Sequence, residues 1–190
     1  MNNKKRRSKV INSKCLMIKL LLVFLVLVSF LSCKAKSSLS TTSQDSTNKS
    51  WCPDNGFCEL EILVDKHLHL KKDAFGMSYV EISEGNKIIL KFEYKRKASS
   101  DLSDSNYREE VFIILNPKEL ELETKDFKRV QVIFGRWCFC KGQAGNFRIT
   151  KGSLLIKKIN DYNYHLNLKF NLDEIPHEIS GITHVFNLSM

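Results

Sequence analysis

From Trp51 to the end of the chain, apolar residues recur at every second position, a period that places side chains on one face only of an extended strand. Tyr162, Tyr164, Leu166, Leu168 and Phe170 share one face, and Asn163, His165, Asn167 and Lys169 share the other. Leu60, Ile62 and Val64 alternate with Glu59, Glu61 and Leu63, and Leu120 and Leu122 with Glu119, Glu121 and Glu123. Ile88, Leu90, Phe92 and Tyr94 form a further strand with Ile89, Lys91 and Glu93. Others are expected over 66–71, 76–82, 107–115, 130–140, 146–150, 153–159 and 182–188. Turn-forming groups separate them: Pro53-Asp54-Asn55-Gly56, Glu84-Gly85-Asn86, Asn116-Pro117, Lys151-Gly152 and Asn160-Asp161. No stretch reads as an amphipathic helix. Residues 97–106 read as a polar loop and 173–181 as an irregular connection around Pro176. The expected fold is all-β, an antiparallel β-sandwich of roughly nine to eleven short strands, with a closed β-barrel as the alternative. Segments 110–115 and 132–139 are apolar on both faces and should be central strands.

The beginning of the chain has a different character. Lys4, Lys5, Arg6, Arg7 and Lys9 precede a 12-residue apolar run, Leu20 to Leu31, interrupted by Ser29. That is the basic and apolar layout of an export signal, short of the about 20 residues a membrane-spanning helix needs. The run ends Ser29-Phe30-Leu31-Ser32-Cys33. This resembles the lipobox of bacterial lipoproteins, with Ser32 and Cys33 matching and Phe30 standing where leucine is usual. The resemblance implies a signal peptide over 1–32, cleavage before Cys33, a diacylglyceryl group on its sulfur and a further acyl chain on the new amino terminus. Two or more chains give stable membrane anchoring, since one is marginal. Residues 33–50 follow as a tether. Nine of the 17 residues 34–50 are Ser or Thr, which predicts a flexible spacer with an end-to-end distance of roughly 20–25 Å. Lys34 stands where enterobacterial lipoproteins retained at the inner membrane carry aspartate, and no acidic run follows Cys33. By that analogy the protein is expected on the periplasmic face of the outer membrane, with residues 51–190 as one β-rich domain.

The net charge of +9 belongs to these first segments. The leader holds seven basic residues and no acid, and the tether three lysines against Asp45. Residues 51–190 therefore balance at 20 basic and 20 acidic residues. A nucleic-acid partner, which requires a net-basic face, is not expected. The lipid on Cys33 is the expected membrane contact, and an envelope protein or a small ligand the expected further partner.

Four cysteines fall in the domain: Cys52, Cys58, Cys138 and Cys140. An exported chain meets an oxidising compartment, so they read first as disulfides. If 130–140 is one strand, Cys138 and Cys140 point to the same face, and a ring closed across Phe139 would distort it. Cross-pairing is therefore expected, Cys52 and Cys58 each with one of Cys138 and Cys140. Four thiolates could instead hold Zn²⁺ or Cu(I), although the spacing is not a standard zinc pattern. A thiol redox role would lack the usual Cys-x-x-Cys. The stretch Phe134 to Phe147 around these cysteines resembles a run found in short envelope lipoproteins, a resemblance that carries no activity.

Arg136, Trp137 and Phe147 are candidates for a partner-binding patch, since exposed aromatics with arginine make interface hot spots. His67 and His69 share a strand face and are weak candidates for a metal pair. The chain has no P-loop and no Gly-x-Ser-x-Gly elbow, and no cofactor is expected. Glu109-Glu110 and the acidic residues of 119–123 are paired only by adjacency. The reading is a lipid-anchored envelope protein with a non-enzymatic binding or structural β domain. The alternatives are a metal-handling protein using the four cysteines and a hydrolase acting on an envelope polymer.

Overall fold

The computed structural model describes residues 51–97 and 106–189. The leader, Cys33, the tether and most of the polar loop after Lys97 lie outside the described residues. The described chain forms ten strands: β1 (Gly56–Lys72), β2 (Ser78–Glu84), β3 (Lys87–Arg96), β4 (Arg108–Leu115), β5 (Leu122–Asp126), β6 (Gln131–Trp137), β7 (Gly145–Arg148), β8 (Lys151–Lys158), β9 (Asn163–Asn171) and β10 (Gly181–Asn187). They make two antiparallel sheets, ordered β2-β1-β3-β4-β6-β7 and β10-β9-β8-β5.

The alternation of the sequence sets the core. Phe92 and Tyr94 of β3, Val111 and Ile113 of β4 and Phe134 of β6 face Leu154 and Ile156 of β8, Leu166, Leu168 and Phe170 of β9, and Ile182 and Phe186 of β10. The opposite face of the larger sheet is covered too. There Leu68, Ile89, Phe112 and Ile133 form a second small core, with Leu63, Leu70, Val80 and Ile114 around it. The segments apolar on both faces, β4 and most of the predicted second one (β6), thus lie inside the sheet between two cores.

A bend in β1 creates the second core. The expected strands 60–64 and 66–71 are one continuous 17-residue strand, broken in register between Leu63 and Lys66, with Asp65 at φ 56°. A bulge of this kind bends the strand and strengthens its twist. Before it, β1 pairs with β3; after it, with β2. The β1–β2 hairpin then folds over the sheet until β2 meets β7, where Val80 donates its N–H to Asn146 Oδ1 at 3.1 Å. The six-stranded sheet is thereby nearly closed into a barrel, while its outer face packs on the four-stranded sheet.

The cysteines pair locally, not across the domain. Cys52 bonds to Cys58 (Cα–Cα 5.7 Å) and Cys138 to Cys140 (Cα–Cα 5.2 Å). The expectation of cross-pairing assumed that the strand ran through Cys140. It ends at Trp137, and the chain bends over 138–140. The bend brings the two sulfurs together and turns Phe139 outward, where it is 92% exposed.

The connection around Pro176 is held by Glu109, which is fully buried on the inter-sheet face of β4. Its carboxylate accepts the N–H groups of Glu178 (2.7 Å) and Ile179 (2.8 Å) and the hydroxyl of Tyr107. Burial first, then the adjacent carboxylate, push the Tyr107 hydroxyl well above its ordinary value. Glu178 in turn accepts from Tyr94 Oη at 2.6 Å and pairs with Arg96. Burial, then Glu178, raise Tyr94 to about 12. For Glu178 itself, burial raises the carboxyl, but Tyr94 and Arg96 outweigh it and hold the group below its ordinary range. A carboxylate depressed in the fold contributes stability that is complete above the ordinary carboxylate value and lost as pH falls through the depressed one. Denaturant midpoints measured from about pH 6 down to about pH 3 should fall less steeply for Glu178→Gln than for the parent chain. Identical slopes would count against this latch.

Candidate ligand cleft

Cross-strand register assembles a polar patch inside the near-barrel, beside its small apolar core. One row runs Glu59, Glu93, Glu110, Gly135, Asn146 across β1, β3, β4, β6 and β7. The next runs Glu61, Lys91, Phe112, Ile133, Arg148. Between them and the overarching β2 lies a cleft of about 260 Å³, lined by Glu61, Leu63, Tyr79, Val80, Ile82, Lys91, Glu110, Phe112, Trp137 and Asn146.

Its polar groups are fixed in place. Glu110 Oε2 accepts the indole N–H of Trp137 at 2.6 Å. Glu110 Oε1 stands 3.8 Å from Lys91 Nζ and 3.8 Å from Arg108 Nε, and the Arg108 guanidinium lies over the Trp137 ring at 5.5 Å. Lys91 Nζ is also 3.4 Å from Glu61 and 3.9 Å from Glu93. For Glu93, burial raises the carboxyl, but Lys95, Lys91 and Arg108 outweigh it and lower it overall.

Asn146 is 2% exposed. The backbone N–H of Val80 requires an acceptor, which sets the amide with Oδ1 toward β2. Its Nδ2 is buried and has no hydrogen-bond partner among the described residues. An unmet buried donor costs about 1–3 kcal/mol, so a group that supplies an acceptor there gains that amount. Gly135 makes the arrangement possible. A Cβ at this position would stand 2.6 Å from Asn146 Nδ2, 3.2 Å from Glu110 Oε2 and 3.3 Å from Trp137 Nε1.

No family model, curated protein or solved structure matches the chain. The site is therefore read from its geometry.

That geometry divides the residues singled out from the sequence. Trp137 points into the cleft. Arg136 and Phe147 lie on the other face of the sheet, with the Arg136 guanidinium 5.4 Å from the Tyr107 ring and Nη1 donating to Gln143 at 2.7 Å. The three do not form one patch, because neighbours along a strand face opposite ways. His67 and His69 do share the exposed face of the hairpin, with ring centroids 4.4 Å apart and His69 Nε2 3.4 Å from Ser83 Oγ. Among the described residues no group of three or more His, Cys, Asp or Glu is placed to hold a metal. The four cysteines are spent in two separate bridges.

Lys91, Asn146 and Tyr79 were not singled out from the sequence, and Glu110 entered only as a neighbour of Glu109. The available signal was Gly135, a glycine inside a strand otherwise apolar on both faces, which marks close approach of another group. The cleft offers fixed donors and acceptors beside apolar side chains, which is the chemistry of recognition.

Proposed function

We propose that this chain is an exported, lipid-anchored binding protein, held to the membrane through Cys33 on the periplasmic face of the outer membrane, whose β domain takes a small ligand in the cleft. The observation that carries the binding reading is the buried, unpartnered Nδ2 of Asn146, a residue that lines the cleft with Glu110 and Trp137. The lining carries Glu61 and Glu110 against Lys91, a net negative charge. A carboxylate or phosphate ligand is disfavoured there, and a neutral or cationic one favoured. The ligand accepts from Asn146 Nδ2, donates to Glu110 Oε1 or Glu61, and lays an apolar face on Leu63, Val80, Ile82 and Phe112. A single sugar ring meets these demands, because each hydroxyl both donates and accepts. So does a small amino alcohol, whose hydroxyl accepts while its ammonium donates.

The test is titration of the full chain with monosaccharides, amino alcohols and organic acids, reading tryptophan emission, to which Trp51 contributes beside Trp137. Saturable change is expected with members of the first two classes, none with the acids, and a loss of about tenfold in monosaccharide affinity for Asn146→Asp, which keeps the acceptor toward Val80 and removes the donor. Saturable binding of the acids alone would overturn the assignment, as would affinity unchanged in Asn146→Asp. The intact mass of membrane-extracted protein reports the anchor. Acyl groups on a chain beginning at Cys33 are expected, and an unmodified terminus would refute it.

A further inference from the structure

A second surface lies where the β1–β2 turn meets the β6–β7 loop. The two abut at Gly145: a Cβ there would stand 2.9 Å from the backbone oxygen of Ser78 and 3.2 Å from Met77 Cγ. At their tips Phe75 is 97% exposed and Phe139 92%, with Met77 also exposed. Both tips are rigid. Asp73 accepts the N–H groups of Phe75 and Met77 at 2.9 Å each, and Gly76 takes φ 84° to close that turn. The Cys138–Cys140 bridge clamps the residues on either side of Phe139. A single exposed apolar residue needs no explanation, but two phenylalanines and a methionine on two abutting loops, each held by local bonds, make one apolar surface open to a partner.

Three further observations choose the partner. Exposed Lys72 and Lys141 stand next to these loops in sequence. Phe57, also exposed, lies at the same end of the sheet with Lys97 5.5 Å from its ring centroid. The strand register places Gly56, Arg96, Arg108 and Trp137 together at that end, and Lys97 N donates to Asn55 O at 2.8 Å. The chain leading back to Cys33 therefore enters the domain at the end that carries the phenylalanines, through a tether that adds Lys34, Lys36 and Lys49.

We propose that Phe75, Met77 and Phe139 form a wedge that inserts into the interfacial region of an anionic bilayer, with the lysines around it meeting lipid headgroups. Apolar insertion with electrostatic attraction is how peripheral surfaces hold a membrane, and a basic group near an anionic leaflet contributes to it. The wedge rests on the proposed anchoring for its proximity to the bilayer, and it fixes which end of the domain faces that bilayer.

The test uses the full chain with vesicles of phosphatidylcholine and phosphatidylglycerol, plain or with brominated acyl chains that quench tryptophan. Phe75→Trp and Phe139→Trp report on the tips. Ile159→Trp is the control, in the β8–β9 turn at the end of its sheet opposite the Glu178 connection that pairs with Arg96. Emission above that of the parent chain should be lost in brominated vesicles at 75 and 139 and kept at 159. Equal emission in both vesicle types at 75 and 139, or equal loss at all three positions, would overturn the wedge. Co-sedimentation with the vesicles, compared with a Cys33→Ser chain, reads the anchor separately, so failure of one reading is distinguishable from failure of the other.

Discussion

Replacing Glu109 by alanine should lower the unfolding free energy by about 3–5 kcal/mol. The carboxylate is fully buried and serves three donors: the N–H groups of Glu178 and Ile179 and the Tyr107 hydroxyl. Alanine leaves all three without an acceptor in the packed interior. Each buried group left unsatisfied costs about 1–3 kcal/mol, and relaxation of the 172–180 connection recovers part of the sum. Glu109→Gln keeps one acceptor oxygen and should cost less than the alanine change. Denaturant midpoints of the three chains measure this, with the slope checked for two-state behaviour. A cost below about 1 kcal/mol for alanine would show that water reaches these groups.

Gly135→Ala should abolish binding in the cleft and destabilise the domain by about 1–3 kcal/mol, the usual cost of overpacking. The added methyl meets Asn146 Nδ2 at 2.6 Å, and neither neighbour yields easily. Asn146 is tied to Val80, and Glu110 to Trp137. Displacing Asn146 also breaks the hydrogen bond that joins β2 to β7. The variant therefore needs a folded control: near-ultraviolet circular dichroism should keep its inter-sheet aromatic signal while the ligand titration goes flat. Full-affinity binding by Gly135→Ala would refute the location of the site. Trp137→Phe, which removes the indole donor without adding volume, separates overpacking from loss of that hydrogen bond: it should weaken binding, read by calorimetry because the reporter is gone, and cost about 1–3 kcal/mol as Glu110 loses its donor.

Glu109 and Glu110 show both what the sequence carries and what it hides. Period-two alternation identifies the β class and the interior position of β4 and β6, because a strand buried on both faces must read as a continuous apolar run. Two adjacent carboxylates stand at the start of β4, just before its apolar run, and adjacency alone sends them to opposite faces. Glu109 serves the inter-sheet core and Glu110 the cleft. Which partners await them is a matter of contacts from residues far along the chain, Ile179 and Trp137, that no local pattern encodes. The same limit applies to Arg136, Trp137 and Phe147, which look like one patch until strand register separates them.

The bridge at Cys138–Cys140 turned on a shorter-range question, where β6 stops. Apolar residues continue to Phe139, so composition extends the strand past its true end at Trp137. The bulge at Asp65 was equally hidden, since a non-glycine residue at positive φ leaves no strong local signature. That one residue decides whether the hairpin lies flat or folds over the sheet, and with it whether a cleft exists.

Near-closure of the larger sheet also changes how the protein meets copies of itself. An open sheet presents two rows of unpaired backbone groups, each a template for another chain. Here β2 and β7 turn those rows toward each other, and the smaller sheet ends on β5 and β10. One, β5, is short, irregular in register and carries Glu123 and Lys125, features that discourage pairing. The other, β10, carries no Lys, Arg, Asp or Glu, but Thr183 and His184 within it are engaged. Near-closure thus withdraws two of the four sheet edges of the described strands from pairing with another copy.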